Sequence, residues 1–378
     1  MLVVYLGVRA GLTALGLLGV ALLPRNTAAD VPGWPAPVLT PGWHNAVTAW
    51  ERWDALWFLR IASRGYRMDD SSAAFFPLYP TLVRMVGFAV GGHWLLAAFL
   101  VSNGALVCAL YLLYRLTEAE LGERSARLTV LLVCVFPTGF FLFAPYSESL
   151  FLALAVGCLL GARRQRWLIA GACGAAAATT RSIGLLLALP LAAEALHQWL
   201  SLPSRRAGLV RLASRLGCTA LVPAGTAGYL LWWRQQTGDA LRPFTSQGGF
   251  GRERAWPWDT VASGVHLALQ YVGQYAGGYH TSDALLVLVS FALAVWVAIR
   301  TRPMYGVYTW ASLIFPLLLP FAGRPFMSMP RFALAVFPLF WALAAFATRF
   351  RAEQAVVAVS ACGLGVFGLL FVNWYFIF

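Results

Sequence analysis

Apolar stretches of near-spanning length recur from one end of this chain to the other, and short polar connections separate them. A helix needs about 20 apolar residues to cross the hydrocarbon core of a bilayer. Eleven runs are the best division of the chain, roughly 1–23, 93–114, 128–144, 150–162, 167–181, 183–200, 216–234, 284–300, 305–321, 332–347 and 355–377, of which the fourth and fifth are short for a core of about 30 Å. Only 11% of the residues are charged, against about a quarter in a soluble domain. The expected architecture is an all-α polytopic membrane protein. No polar segment is long enough to fold alone, so residues 1–378 are expected to form a single membrane-embedded domain. Residues 1–23 lack a basic leader and a cleavage site and read as a retained first helix.

The net charge is +13, and all 28 basic residues are arginine. Nucleic acid is not the expected partner, because the charge lies in short connections between apolar runs; anionic lipid, lipid phosphate and topology account for it. One set of alternate connections holds Arg115, Arg124 and Arg127, then Arg163, Arg164 and Arg166, then Arg205, Arg206, Arg211 and Arg215, then Arg300 and Arg302, then Arg349 and Arg351. The positive-inside rule makes that side cytoplasmic. Six cysteines (Cys108, Cys134, Cys158, Cys173, Cys218 and Cys362) fall in the apolar runs without metal-ligand spacing and read as small core residues. Five scattered histidines form no ligand pair, and no Walker or dinucleotide loop is present, so no metal, nucleotide or nucleotide sugar is expected.

The opposite side differs in kind. It carries two long segments, about 24–92 and 235–283, rich in Trp, Phe, Pro and Gly, and loops of that length are usually functional. Within the first, 45–64 and 76–90 read as helices at the membrane surface. Ten of the fifteen acids fall on this side: Asp30, Glu51, Asp54, Asp69, Asp70, Glu148, Asp239, Glu253, Asp259 and Asp283. They are interleaved with arginines and aromatics, as a site would be.

Asp54 stands out. It sits in WERWDALWFLRIASRGY, residues 50–66. If that stretch is one helix, Trp50, Trp53, Trp57 and Ile61 share a face, and Asp54 lies about 40° from Trp50 at about 100° per residue. An acid on an apolar face is costly unless paired or used. It is either a general base whose apolar walls raise its basicity, or a structural partner of Arg52 or Arg60. Asp69 and Asp70, ahead of AFFPLYP, read as solvated or helix-capping acids, or as substrate or metal contacts. Glu148 in APYSESLF serves a site or caps a helix. Arg181 in TTRSIG needs an anion, either Glu148 or a substrate phosphate. The segment TGDALRPFTSQGGFGRERAWPWDT mixes Gln247, Arg252, Arg254 and Trp256, a blend that suits a sugar or head group and equally any interfacial loop. Arg331 in SMPRFALAVFP follows Pro330 at a helix start, where it either binds phosphate or reaches to the interface.

Taken together, in this order, these motifs resemble the PIG-V-like mannosyltransferases, the family of GPI mannosyltransferase II and its shorter bacterial relatives. The matching pieces are RWDALWFLRIASRGY, AFFPLYP, APYSESLF, TRSIG, GD with the following SQ and WPW, and PRF with FP, spanning about 50–340. The resemblance implies a GT-C glycosyltransferase fold with a long first outer loop. It also implies inverting, metal-independent transfer of mannose from a polyprenyl- or dolichyl-phosphate mannose to a hydroxyl of a glycolipid or other lipid-linked acceptor. The Asp of RWDA, Asp54 here, is the position it implies as catalytic. Arg52, Trp53, Glu148, Arg181, Gln247, Trp256 and Arg331 are the expected substrate contacts. The competing readings are a transporter or flippase of lipid-linked sugars and a scaffold subunit with a degenerate site. Transporters more often show symmetric halves, whereas the polar residues here gather at one face.

Overall fold

The computed structural model describes residues 1–377 except 30, 32–41, 205, 207, 275 and 276, so the expectations placed on Asp30 and Arg205 lie outside it. The described residues are helical, with no strand among them and only isolated bridges joining Phe321 to Arg252 and Arg324. Five helices are long and apolar enough to cross a membrane: Leu2–Leu22, Trp94–Leu121, Ser182–Leu200, Gly278–Arg300 and Glu353–Val372. A sixth span is made if Met329–Ala335 and Pro338–Arg349, bent by 85°, are one broken helix. The other expected runs are helical but shorter or interrupted: Glu123–Val135, Glu148–Arg163, Trp167–Ala178, Leu209–Thr219 with Leu221–Thr237, and Pro303–Ile314. Prolines sit at several of the breaks, Pro137, Pro316 and Pro338 among them, where an N–H is missing from the helical ladder.

Broken helices inside an apolar bundle leave carbonyls that side chains must satisfy. Tyr308 donates to the Ala335 carbonyl (2.8 Å) and Thr138 to that of Pro330 (3.1 Å). At the break ahead of helix Glu148–Arg163, Ser149 donates to the carbonyl of Leu142 (2.5 Å), Ser102 to that of Tyr146 (2.9 Å) and Arg9 to that of Phe143 (3.1 Å). Small residues let the helices approach closely. A Cβ on Gly171 would stand 2.2 Å from the Cys218 carbonyl oxygen, and one on Gly225 2.6 Å from that of Ala175. The cysteines are mixed: Cys134 and Cys158 are buried core, while Cys108 and Cys362 are exposed on helix faces and do not act as core residues.

The arginine-bearing connections meet at one end of the bundle. Arg163 pairs with Glu120 (2.5 Å), Arg124 with Glu353 (2.9 Å) and Arg302 with Glu194 (3.4 Å), and Arg215 donates to Gln165 (2.8 Å). The two long segments meet at the other end, where Arg242 donates to the Met68 carbonyl (2.5 Å); Tyr229, on the helix that leads into the second segment, donates to the carbonyls of Ala73 (2.9 Å) and Phe75 (3.1 Å) in the first. Helix Leu78–Ala89 forms as expected, but 45–64 is not one helix. It is a single turn, Asn45–Thr48, then a break, then Asp54–Arg64. Trp50 is therefore not on the helix of Asp54, and the shared-face argument for that pair fails.

Candidate active site

The break before Asp54 is a tight turn. The Ala55 N–H donates to the Arg52 carbonyl (3.1 Å), and Trp53 adopts φ 52°, ψ −115°. That conformation is usually left to glycine at the first central position of a type II′ turn. A bulky residue keeps it only where its surroundings over-determine it. Here Trp53 packs edge-on against Phe376 (4.8 Å between centroids) and Trp374 (5.6 Å). The turn makes Asp54 the first residue of its helix, where the N-terminal dipole favours a negative charge. Glu148 likewise opens its own helix, Glu148–Arg163.

These two acids and two arginines form one alternating chain. Arg331 donates through its NH1 to Asp54 Oδ2 (2.6 Å) and through its Nε to Glu148 Oε1. Arg181 donates to the same Glu148 oxygen (2.5 Å) and to Ser147 Oγ (3.2 Å). The Arg331 guanidinium also lies 4.8 Å from the ring centroids of both Phe141 and Tyr146, an arrangement that favours a desolvated cation. Glu148 is fully buried, whereas 32% of the Asp54 side chain remains exposed. Asp54 is thus the acid of this chain that faces open space. Sequence reasoning gave it apolar walls; the structure gives it a cationic neighbour.

That space is a cavity of about 390 Å³. Asp54, Arg181, Arg252, Gln247, Ser328 and Arg331 supply much of its polar lining, and Trp53, Trp57, Phe75, Phe250, Phe321, Phe332 and Phe376 much of its apolar wall. Arg252, which the sequence places in a blend suited to a sugar or head group, was not among the expected substrate contacts, yet it lines the cavity. Its NH1 donates to the Leu319 carbonyl (2.9 Å) and its NH2 to Ser328 Oγ (3.1 Å), and it makes no ion pair among the described residues. Burial pushes this guanidinium down to about 10, with Asp54 pulling it back up, so it is still a cation at neutral pH.

Of the expected contacts, Asp54, Trp53, Arg181, Gln247 and Arg331 line the cavity, and Glu148 lies just beneath it. Two others are elsewhere. Arg52 is buried and donates to the backbone carbonyls of Thr48 (2.8 Å), Glu51 (3.0 Å) and Val372 (3.0 Å). Trp256 is 62% exposed and stacks on Trp258 (5.0 Å) outside the cavity lining. Asp70 pairs with Arg60 (2.5 Å) and accepts from the Ser72 N–H (2.8 Å), which is a capping role, and Asp69 pairs with Arg67 (2.6 Å) at the surface.

Residues 22–258 match the family described as Mannosyltransferase (PIG-V). The chain belongs to that family. It is similar to GPI mannosyltransferase 2 of Cryptococcus neoformans (32% identical over 151 residues, 37% of this chain and 35% of that one) and of Drosophila melanogaster (34% over 154 residues, 37% and 34%). GPI alpha-1,6-mannosyltransferase 2 of Mus musculus is 35% identical over 150 residues, covering 36% of this chain and 29% of that one. The matches therefore span only about a third of these curated relatives. In fold the chain resembles ArnT of Cupriavidus metallidurans in the apo state (TM-score 0.52, 13% identity, 100% of this chain and 77% of that one). The structure of ArnT bound to undecaprenyl phosphate gives a TM-score of 0.50 at 13% identity, over 100% of this chain and 76% of that one. The fold is GT-C-like.

Proposed function

We propose that the protein transfers mannose from a polyprenyl- or dolichyl-phosphate mannose to a hydroxyl of a lipid-linked acceptor, with inversion, at the non-cytoplasmic face. One observation carries this reading: the cavity joins a partly exposed carboxylate to a surplus of positive charge. Three guanidiniums (Arg181, Arg252, Arg331) stand against two carboxylates (Asp54, Glu148), and the unpaired cation is Arg252. A half-buried cation without a carboxylate partner favours an anion beside it, and a substrate phosphate would supply one. Membership of a mannosyltransferase family supports the sugar. The ArnT structure with undecaprenyl phosphate supports a polyprenyl phosphate as carrier. The convergence of the arginine-bearing connections at the opposite end supports the non-cytoplasmic side.

In this mechanism Asp54 takes the proton of the acceptor hydroxyl. The oxygen attacks the anomeric carbon in line, the bond from that carbon to the phosphate oxygen breaks, and lipid phosphate leaves with the electron pair. Arg252 meets the phosphate charge as it develops, and Arg331, already tied to Asp54, keeps base and leaving group in one electrostatic frame. Phosphate is a good leaving group, so arginines suffice without a metal, and turnover is expected to be unchanged by EDTA in an assay of the purified protein.

The test is detergent-solubilised protein incubated with radiolabelled undecaprenyl-phosphate mannose and a glycolipid extract. Label should move to a new glycolipid with the anomeric configuration opposite to that of the donor. Retention of configuration, or failure of every lipid fraction to accept label, would sink the reading. Arg252→Gln is expected to weaken binding of undecaprenyl phosphate by about 10- to 100-fold, the worth of one or two charge-assisted hydrogen bonds. An unchanged Kd by native mass spectrometry would remove Arg252 from the phosphate site.

A further inference from the structure

Outside the cavity lies a second buried ion pair that this mechanism does not use. Arg324 and Asp283 are 6% and 0% exposed. Arg324 grips Asp283 with two N–H groups (2.7 and 3.0 Å), and its Tyr279 neighbour lies under the guanidinium at 4.4 Å. A buried pair alone contributes little to stability. What distinguishes this one is where the remaining N–H groups go: NH1 donates to the Phe376 carbonyl (3.0 Å) and NH2 to that of Ile377. Arg324 thereby ties down the segment Asn373–Ile377.

That segment is the support of the catalytic turn. Phe376 and Trp374 are the rings that hold Trp53 in its glycine-like conformation. Arg52, on the other side of Trp53, donates to the Val372 carbonyl (3.0 Å) and lies 4.6 Å above the Trp374 ring. Arg52, Trp53 and Asp54 are consecutive, and the first two rest on 372–376. Phe376 also forms part of the cavity wall.

We propose that Arg324 is a positioning residue for Asp54: fixed by Asp283, it holds the Phe376 and Ile377 carbonyls, so that Phe376 sets Trp53 and Trp53 presents the carboxylate. The proposal rests on Asp54 being the base, but its first test does not. In hydrogen–deuterium exchange on the detergent-solubilised protein, Arg324→Gln and Phe376→Ala are each expected to speed exchange in the peptide covering 50–58 by about tenfold or more, as local opening would. Phe376→Ala leaves the ion pair intact and guards against a folding failure in Arg324→Gln. Arg324→Lys, which lacks the fork needed to reach Asp283 and two carbonyls together, should behave like Arg324→Gln. Protection of 50–58 unchanged in Phe376→Ala overturns the proposal, whatever the protein's activity. With undecaprenyl-phosphate mannose as donor, Arg324→Gln and Arg324→Lys, both outside the cavity lining, should lower kcat by about 10- to 100-fold, the effect of a base displaced by an ångström, while donor KM holds. A loss confined to KM would overturn the positioning role. Absence of transfer by the unaltered protein would instead count against the mannosyltransferase reading.

Discussion

Asp54→Asn is expected to reduce sugar transfer by about 10²- to 10⁴-fold, the usual contribution of a general base, without a comparable loss of stability. The side chain is one-third exposed and is held by one direct ion pair, Arg331 at 2.6 Å, so the amide should be accommodated. The sign of the effect on donor binding discriminates between roles. Removing this carboxylate raises the surplus of positive charge in the cavity and frees one N–H of Arg331. A lipid phosphate should then bind at least as tightly as before. If Asp54 instead held the sugar by hydrogen bonds, undecaprenyl-phosphate mannose would bind more weakly while kcat changed little. Turnover and lipid-phosphate affinity measured on one preparation separate the two, and near-normal turnover in Asp54→Asn would end the assignment.

The place of Asp54 at the cavity was legible in the sequence, but for a partly mistaken reason. A helical wheel run through Trp50 put the acid among the tryptophans. The real helix starts at Asp54, because Trp53 takes a positive φ that nothing local announces: no Gly or Pro lies between 43 and 64. Distant side chains impose the break, with Tyr146 donating to the Arg52 carbonyl (2.7 Å) and Phe376 packing on Trp53. Tertiary context of this kind leaves no local trace. Arg52 misled for the same reason, since an arginine beside the key acid reads as a substrate contact until its carbonyl partners are seen. Arg324 and Asp283, set apart by 41 residues, had no pattern to join them.

What periodicity and charge carry survived better. Each apolar run became helix, and the arginine-bearing connections gathered at one end, because both follow from composition along the chain. The number of spans was less legible. A run such as 332–347 is continuous in hydropathy yet turns through 85° between Ala335 and Pro338. That bend places Arg331 beside Glu148, 183 residues earlier, and beside Asp54, 277 residues earlier. Proline marks where a helix can break, but the direction of the next segment depends on what it packs against.

Glu148 is expected to be the most damaging position to empty. Its Oε1 accepts from both Arg181 and Arg331, and its carboxylate is wholly buried. Glu148→Ala leaves Arg181 without a carboxylate and Arg331 with Asp54 alone, and stranding a buried charge costs about 3–5 kcal/mol. Thermal unfolding in detergent should show a large drop in Tm, and transfer should be lost with it. Glu148→Gln keeps the acceptor oxygen but not the charge and should be intermediate in stability. Stability and catalysis separate in the double variant Glu148→Leu, Arg181→Met. Replacing acid and cation together removes the stranded charge of Arg181, so much of the lost stability should return, as paired substitutions of buried ion pairs allow. Arg331 would then rely on Asp54 alone, and a base held more tightly by its counter-ion should turn over slowly even in a well-folded protein. Recovery of transfer alongside stability would mean that Glu148 is needed only for folding. Recovery of stability without transfer would place the Glu148–Arg181 pair, whose cation lines the cavity, in the electrostatic frame of the site.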